Sequence, residues 1–305
     1  MSRNILRDQM FMLKRFQPFF PVLFLCIWSA GYAMAKLALN YTEPFNLLAY
    51  RFVGAFLVLT PFVIILRLSM PKLATCYSLM GTGLFLHIGH FGSIYVGMKL
   101  GASASIMALF AACQPVLVII SAALFARKMP SWKIWLSLCL GLSGAALIIG
   151  IDMQDNQGFL LGAILGFTAV VALSIGQVIE KQRKLGVHPI IGTWVQYAFA
   201  SVVSVPFAYY FEGFAADMSL PFIGALAYLV LANSVLGIML MLHIVRTGSV
   251  SSVASIMFMV PAVGALIAWP VVGEAPKLIT IPGFILAMAG AYWTSRLTSA
   301  STTKP

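Results

Sequence analysis

The chain has 305 residues, of which 61% are hydrophobic and only 9% charged. With a mean hydropathy of +0.97, it is too apolar for a soluble globular protein, and its short polar stretches leave no room for a soluble catalytic domain. The net charge of +11 would suit nucleic acid, but the basic residues flank apolar runs, where they act as membrane-insertion signals.

A helix needs roughly 20 apolar residues to cross the hydrocarbon core. In chain order the apolar runs predict spans at Phe19–Leu39, Phe45–Leu66, Leu73–Gly97, Ala102–Phe125 and Trp132–Gly150. A second set follows at Gly158–Ile179, Pro189–Phe211, Leu220–Leu242, Ser249–Val272 and Leu278–Thr294. The basic stretch Met1 to Gln17 precedes the first run with no small-residue cleavage motif, so that run reads as a retained span. Cys26, Cys76, Cys113 and Cys139 lie in different apolar segments, without the clustering that a disulfide framework or zinc site needs.

The basic residues fix an orientation. Arg3, Arg7, Lys14, Arg15, Arg67, Lys72, Arg127, Lys128, Lys133, Lys181, Arg183, Lys184, Arg246, Arg296 and Lys304 fall at one face. Lys99 and Lys277 fall at the other, with Lys36 and Arg51 inside spans. This positive-inside bias places both termini in the cytoplasm of a multi-pass protein, with the bacterial inner membrane as the expected location.

The two halves repeat each other. At an offset of 145, Gly31, Lys36, Pro44, Pro61 and Gly92 fall on Gly176, Lys181, Pro189, Pro206 and Gly237. At 146, Ser103, Ser105, Pro115 and Gly144 fall on Ser249, Ser251, Pro261 and Gly290. These are mostly backbone-shaping residues, so the match concerns architecture. Five spans per half force the second half to insert upside down. The expected fold is an all-α membrane protein of ten transmembrane helices, two inverted five-helix repeats (residues 18–150 and 158–296) around a central cavity. That is the construction of secondary transporters.

Several elements carry a family likeness: Trp28-Ser29-Ala30-Gly31 with Lys36 in span one, Arg51 in span two, and Ser103-Ala104-Ser105 leading to Gln114-Pro115 in span four. Ser251-Ser252 leading to Pro261, and the pair Gly273-Glu274 after span nine, complete it. On these residues the chain resembles the EamA-type branch of the drug/metabolite transporter superfamily over nearly its whole length. Lys128 stands where the first half would repeat Glu274, so that element is degenerate. The resemblance implies ten helices around a central cavity, and export, or less often uptake, of small metabolites.

Where the halves disagree in polarity, function is the natural reading. His87 pairs with Ala232, His90 with Val235, Gln114 with Val260, Trp28 with Leu173, Arg51 with Gln196, and Asn233 with Ile88. His87 and His90, three residues apart, share one face of an α-helix, about 22 Å and 27 Å along span three from Lys72. They are candidates for substrate contact or proton coupling, or else two neutral rings satisfied by their neighbours. Arg51, about 12 Å inward from Glu43, must meet a cavity, carbonyls or an anionic ligand. Trp28, Tyr32 and Lys36 recur every four residues on one face of span one, though Lys36 also suits an interfacial anchor. Gln177, Trp194 and Tyr197 are candidates for the opposing wall, and Pro115 and Pro261 for bends that take part in gating.

All the acidic residues fall in loops, tails or span ends, so no buried carboxylate is expected. A phosphate-binding Gly-Lys-Ser/Thr motif, paired carboxylates and a Ser-His-Asp arrangement are absent, which argues against an ATPase or an enzyme and for no cofactor or metal. The expectation is a secondary exporter of small polar metabolites, amino acids or their derivatives, working by alternating access. An importer of organic anions or nucleotide-like solutes, and a passive channel, are the alternatives.

Overall fold

The computed structural model describes residues 19–127, 129, 131–152, 157–183, 186–247, 257, 259–275, 278 and 281–302. Among these residues ten helical rods form and no strand does. The first repeat holds α1 (Phe20–Ala38), α2 (Pro44–Ile65), α3, α4 and α5 (Trp132–Asp152). Helix α3 joins Leu73–Gly83 through a π segment, Leu84–Gly89, to His90–Lys99. Helix α4 joins Ala104–Phe110 through a 3₁₀ turn, Ala111–Cys113, to Gln114–Phe125. The second repeat holds α6 (Gln157–Arg183), α7 (Pro189–Phe207 with a π turn Ala208–Glu212), α8, α9 (Val260–Val272) and α10 (Ile281–Thr302). Helix α8 joins Leu220–Ala227 through a π segment, Tyr228–Gly237, to Ile238–Thr247.

The boundaries follow local chemistry. Proline in the first turn opens α1, α2 and α7, where its missing N–H costs nothing. The Ser103 hydroxyl accepts the Ile106 amide at 3.1 Å and caps α4. Gly213 and Gly273 end α7 and α9 at φ +66° and +73°, where a side chain would be strained. Six stretches are long and apolar enough to cross a bilayer by themselves, with shorter apolar helices at Val260–Val272 and Ile281–Gly290. Their outward faces expose Leu57, Ile64, Val202, Leu266 and other large apolar residues. Such surface suits lipid and not water.

The packing repeats as the sequence does. Exchanging α1–α5 for α6–α10 turns the α1–α8 contact into α6–α3, α1–α9 into α6–α4, and α2–α8 into α7–α3. Helices α2–α7, α4–α9 and α5–α10 pair with their own mates. Gly144 and Gly290 show the symmetry at atomic scale. A Cβ on Gly144 would stand 2.5 Å from the Gly283 carbonyl oxygen, and one on Gly290 2.7 Å from that of Ser137. Each glycine lets α5 and α10 meet backbone to backbone, the close approach that small residues permit in membranes.

The spans read from the sequence match these helices within a few residues, except that residues 249–256 and 258 of the ninth and 279–280 of the tenth lie outside the described residues. Two features differ from expectation. The central segment of α3 is π-helical, and a π turn holds more residues than an α turn. His87 and His90 therefore point to different neighbours and do not share a face. The second difference is Glu180, which is only 6% exposed within α6. A buried carboxylate does exist: α6 extends beyond the apolar run to Arg183 and carries Glu180 in against α7.

Candidate functional site

A cleft between α1, α2, α3 and α8 is lined by Trp28, Gly31, Tyr32, Ala35, Arg51, His90, Phe91, Ile94, Tyr95 and Asn233. Its water-accessible space is about 10 Å³, roughly what one water molecule needs. The walls are closely drawn in, so a metabolite requires them to part.

Arg51 is the centre of the cleft. It is 1% exposed, and its guanidinium lies 3.6 Å from the centroid of the Phe91 ring. A desolvated cation–π contact of this kind contributes about 2 kcal/mol. Nε donates to the Ser234 hydroxyl at 2.7 Å and one Nη to Asn233 Oδ1 at 2.5 Å, while the other Nη donates to the Tyr95 hydroxyl. Every one of these acceptors is neutral. Hydrogen bonds and the ring soften the several-kcal/mol cost of burying the ion, but no carboxylate among them cancels its charge.

Two further donors sit in the same wall. The indole Nε1 of Trp28 and the hydroxyl of Tyr32 are buried without a hydrogen-bond partner. An unmet buried donor costs about 1–3 kcal/mol, which a ligand's acceptor oxygens would recover. His90 stacks on Trp28, with ring centroids 5.7 Å apart. Its Nδ1 lies 3.0 Å from the Ala169 carbonyl oxygen. A carbonyl can only accept, so Nδ1 carries the hydrogen and a neutral ring keeps its lone pair on Nε2.

The other residues singled out from the sequence lie elsewhere. His87 faces α7: Nε2 is 3.1 Å from Gln196 Oε1, the ring stacks on Tyr197 at 4.2 Å, and Nδ1 has no partner. The Tyr197 hydroxyl donates to the Ser234 carbonyl at 3.0 Å and so braces the Arg51 acceptor from behind. Gln114 and Gln177 bond to each other at 3.0 Å between α4 and α6, away from the cleft. Trp194 donates to Thr60 Oγ1 at 2.9 Å and packs on Phe56. Lys36 spans to α3, where Nζ donates to the Met98 and Ala102 carbonyls at 2.9 and 3.2 Å. There it caps the negative end of α3. Pro115 stands in the first turn after the 3₁₀ break in α4, and Pro261 in the first turn of α9.

Thus Trp28, Tyr32, Arg51 and His90 come together, and the cleft adds Tyr95, Phe91 and Asn233. Tyr95 was legible by the same comparison of halves that singles out Asn233, since it stands opposite Leu240. Asn233 and Ser234 sit in the π segment of α8, the mate of the π segment that holds His87. Such segments turn side chains away from their α-helical register and concentrate at functional sites.

A protein of Salmonella typhimurium described as a probable amino-acid metabolite efflux pump is 23% identical over 292 residues, spanning 92% of this chain and 95% of that protein. An uncharacterised transporter of Archaeoglobus fulgidus is 25% identical over 290 residues, spanning 88% and 93%. A solved crystal structure shares the fold with a TM-score of 0.65 at 19% identity, covering 94% of this chain and 98% of that one. The model of the EamA-like transporter family matches twice, over residues 18–150 and 160–296. With ten helices in two inverted repeats around a polar cleft, the chain belongs to the EamA-like transporter family and is a multi-pass membrane transporter of small molecules.

Proposed function

We propose that the protein exports small metabolites bearing a carboxylate, amino acids or their derivatives, by alternating access across the bacterial inner membrane. The observation that carries this reading is Arg51, a buried guanidinium in the central cleft whose bonded acceptors are all neutral. An anionic group beside it meets an uncompensated charge in a low-dielectric site, where their attraction is far stronger than in water. The unpartnered Trp28 and Tyr32 donors would orient carboxylate oxygens. The Nε2 lone pair of His90 would accept from an ammonium group, and the Trp28 face would hold an apolar side chain. The name of the Salmonella typhimurium relative supports the same class.

Orientation rests on the charge bias, which puts both termini in the cytoplasm. Import of organic anions is less well supported: Lys36, the second cation expected to serve it, is already engaged with two backbone carbonyls. Counterflow in proteoliposomes, screening amino acids, organic acids, nucleosides and cationic dyes, tests the proposal. Saturable exchange of amino acids is expected. Exchange confined to cationic dyes, or flux that never saturates, would overturn it.

A further inference from the structure

At the end of the bundle that holds Glu43 and Lys99, two carboxylates of the second repeat close on helix N-termini of the first. Glu212, ending α7, accepts the amides of Phe45 at 3.1 Å and Asn46 at 2.7 Å in the first turn of α2. Glu274, just beyond α9, accepts the amides of Ala104 at 3.0 Å and Ser105 at 3.2 Å, and the Ser105 hydroxyl at 3.3 Å, in the first turn of α4. A helix N-terminus offers unpaired N–H groups and the positive end of its dipole, and a carboxylate satisfies both. Each acid therefore ties a helix to its own repeat mate, α7 to α2 and α9 to α4. The same end is held by the Thr42 hydroxyl on the Ala215 carbonyl at 2.8 Å and the Tyr50 hydroxyl on that of Phe214 at 2.6 Å. Tyr50 precedes Arg51, so this seam borders the candidate site.

The repeat dictates what stands at the opposite end. Glu212 corresponds to Arg67 at the offset of 145, and Glu274 to Lys128 at 146. A cation is repelled by a helix N-terminus and cannot cap it. Arg67 is exposed, and the His188 side chain ahead of α7 does not cap that helix. In sequence, then, the two acids of one end correspond to two bases in the other repeat.

We infer that Glu212 and Glu274 are the gating residues of the transport cycle, two latches that hold one end of the pathway shut. Opening at the latched end separates α7 from α2 and α9 from α4, and both carboxylates must leave their N-termini. The inference rests on alternating access in the transporter reading, and not on the identity of the substrate.

Thiol labelling tests it. In a background with Cys26, Cys76, Cys113 and Cys139 replaced by alanine, Ala35→Cys puts a thiol in the cleft wall. An impermeant maleimide is applied from the side bearing Glu212. The pair Glu212→Gln and Glu274→Gln is expected to raise the labelling rate about tenfold, the loss of two helix caps expressed as an equilibrium shift. The pair Arg67→Glu and Lys128→Glu, which writes acids into the other end, is expected to raise it as well by holding that end closed. Unchanged labelling in the glutamine pair, purified as monodisperse protein, would overturn the inference, as would reduced labelling in the Arg67→Glu and Lys128→Glu pair. Should the glutamine pair not fold, the second pair alone decides, because it leaves both latches intact. A wrong substrate assignment would show in counterflow while leaving the labelling result standing.

Discussion

Arg51 on α2 and Asn233 on α8 join the two repeats through a 2.5 Å hydrogen bond that has no counterpart across the pseudo-axis. Their mates are Gln196 and Ile88, which cannot form it. Asn233 also donates to the Ile27 carbonyl on α1 at 3.2 Å, so three helices meet at one amide. The scaffold is symmetric and its polar centre is not.

Replacing Arg51 tests that centre. Arg51→Ala is expected to abolish counterflow, and Arg51→Lys to recover little of it. Lysine has one donor head where the guanidinium reaches three acceptors at fixed angles. The check is transport activity beside the melting temperature in detergent. Normal transport by Arg51→Lys would remove the forked role.

Two glycine substitutions should separate function from stability. A Cβ at Gly31 would come within 2.5 Å of Asn233 Nδ2, the far end of a side chain that can swing away. Gly31→Ala should therefore displace Asn233 from Arg51 and cut transport several-fold with little change in melting temperature. A Cβ at Gly144 meets the Gly283 carbonyl oxygen and the Ala287 amide nitrogen, at 2.5 and 2.6 Å, and backbone cannot yield so easily. Gly144→Ala should cost about 1–3 kcal/mol of stability, as overpacking does. Equal melting temperatures in the two variants would contradict this division.

The two histidines should behave differently when changed one at a time. His90 lines the cleft, so His90→Gln should lower transport with little change in melting temperature. His87 is held by Gln196 and stacked on Tyr197. His87→Gln should chiefly lower thermal stability. Equal losses of transport and of melting temperature in the two variants would contradict this division.

Topology is open to direct labelling. A cysteine at Asp217, on the segment that meets Thr42 and Tyr41, should react with an impermeant reagent applied from outside intact cells. One at Lys72, exposed ahead of α3, should stay protected until the membrane is permeabilised. The reverse pattern would invert the assigned orientation.

The amino-acid sequence alone determined the ten helices and their pairing into inverted repeats, and its flanking charges suggest an orientation. Span length, backbone-shaping residues at a fixed offset and flanking basic residues are local or periodic signals, and the bilayer demands them regardless of partners. It also pointed to Arg51, Trp28 and His90, because polarity that breaks a repeat stands out, and to Tyr32 through its four-residue spacing from Trp28 and Lys36. Only the tertiary structure decided which of the polar residues meet. The π segments of α3 and α8 shift side-chain direction with no mark in composition. They turn His87 to Gln196 while bringing Asn233 and Ser234 to Arg51. Lys36, read from sequence as either cavity wall or anchor, became a helix cap because the carbonyls it satisfies lie 62 and 66 residues further along the chain, at the end of α3. The roles of Glu212 and Glu274 depended on the same thing: a loop carboxylate has no visible partner until folding sets a helix N-terminus in front of it.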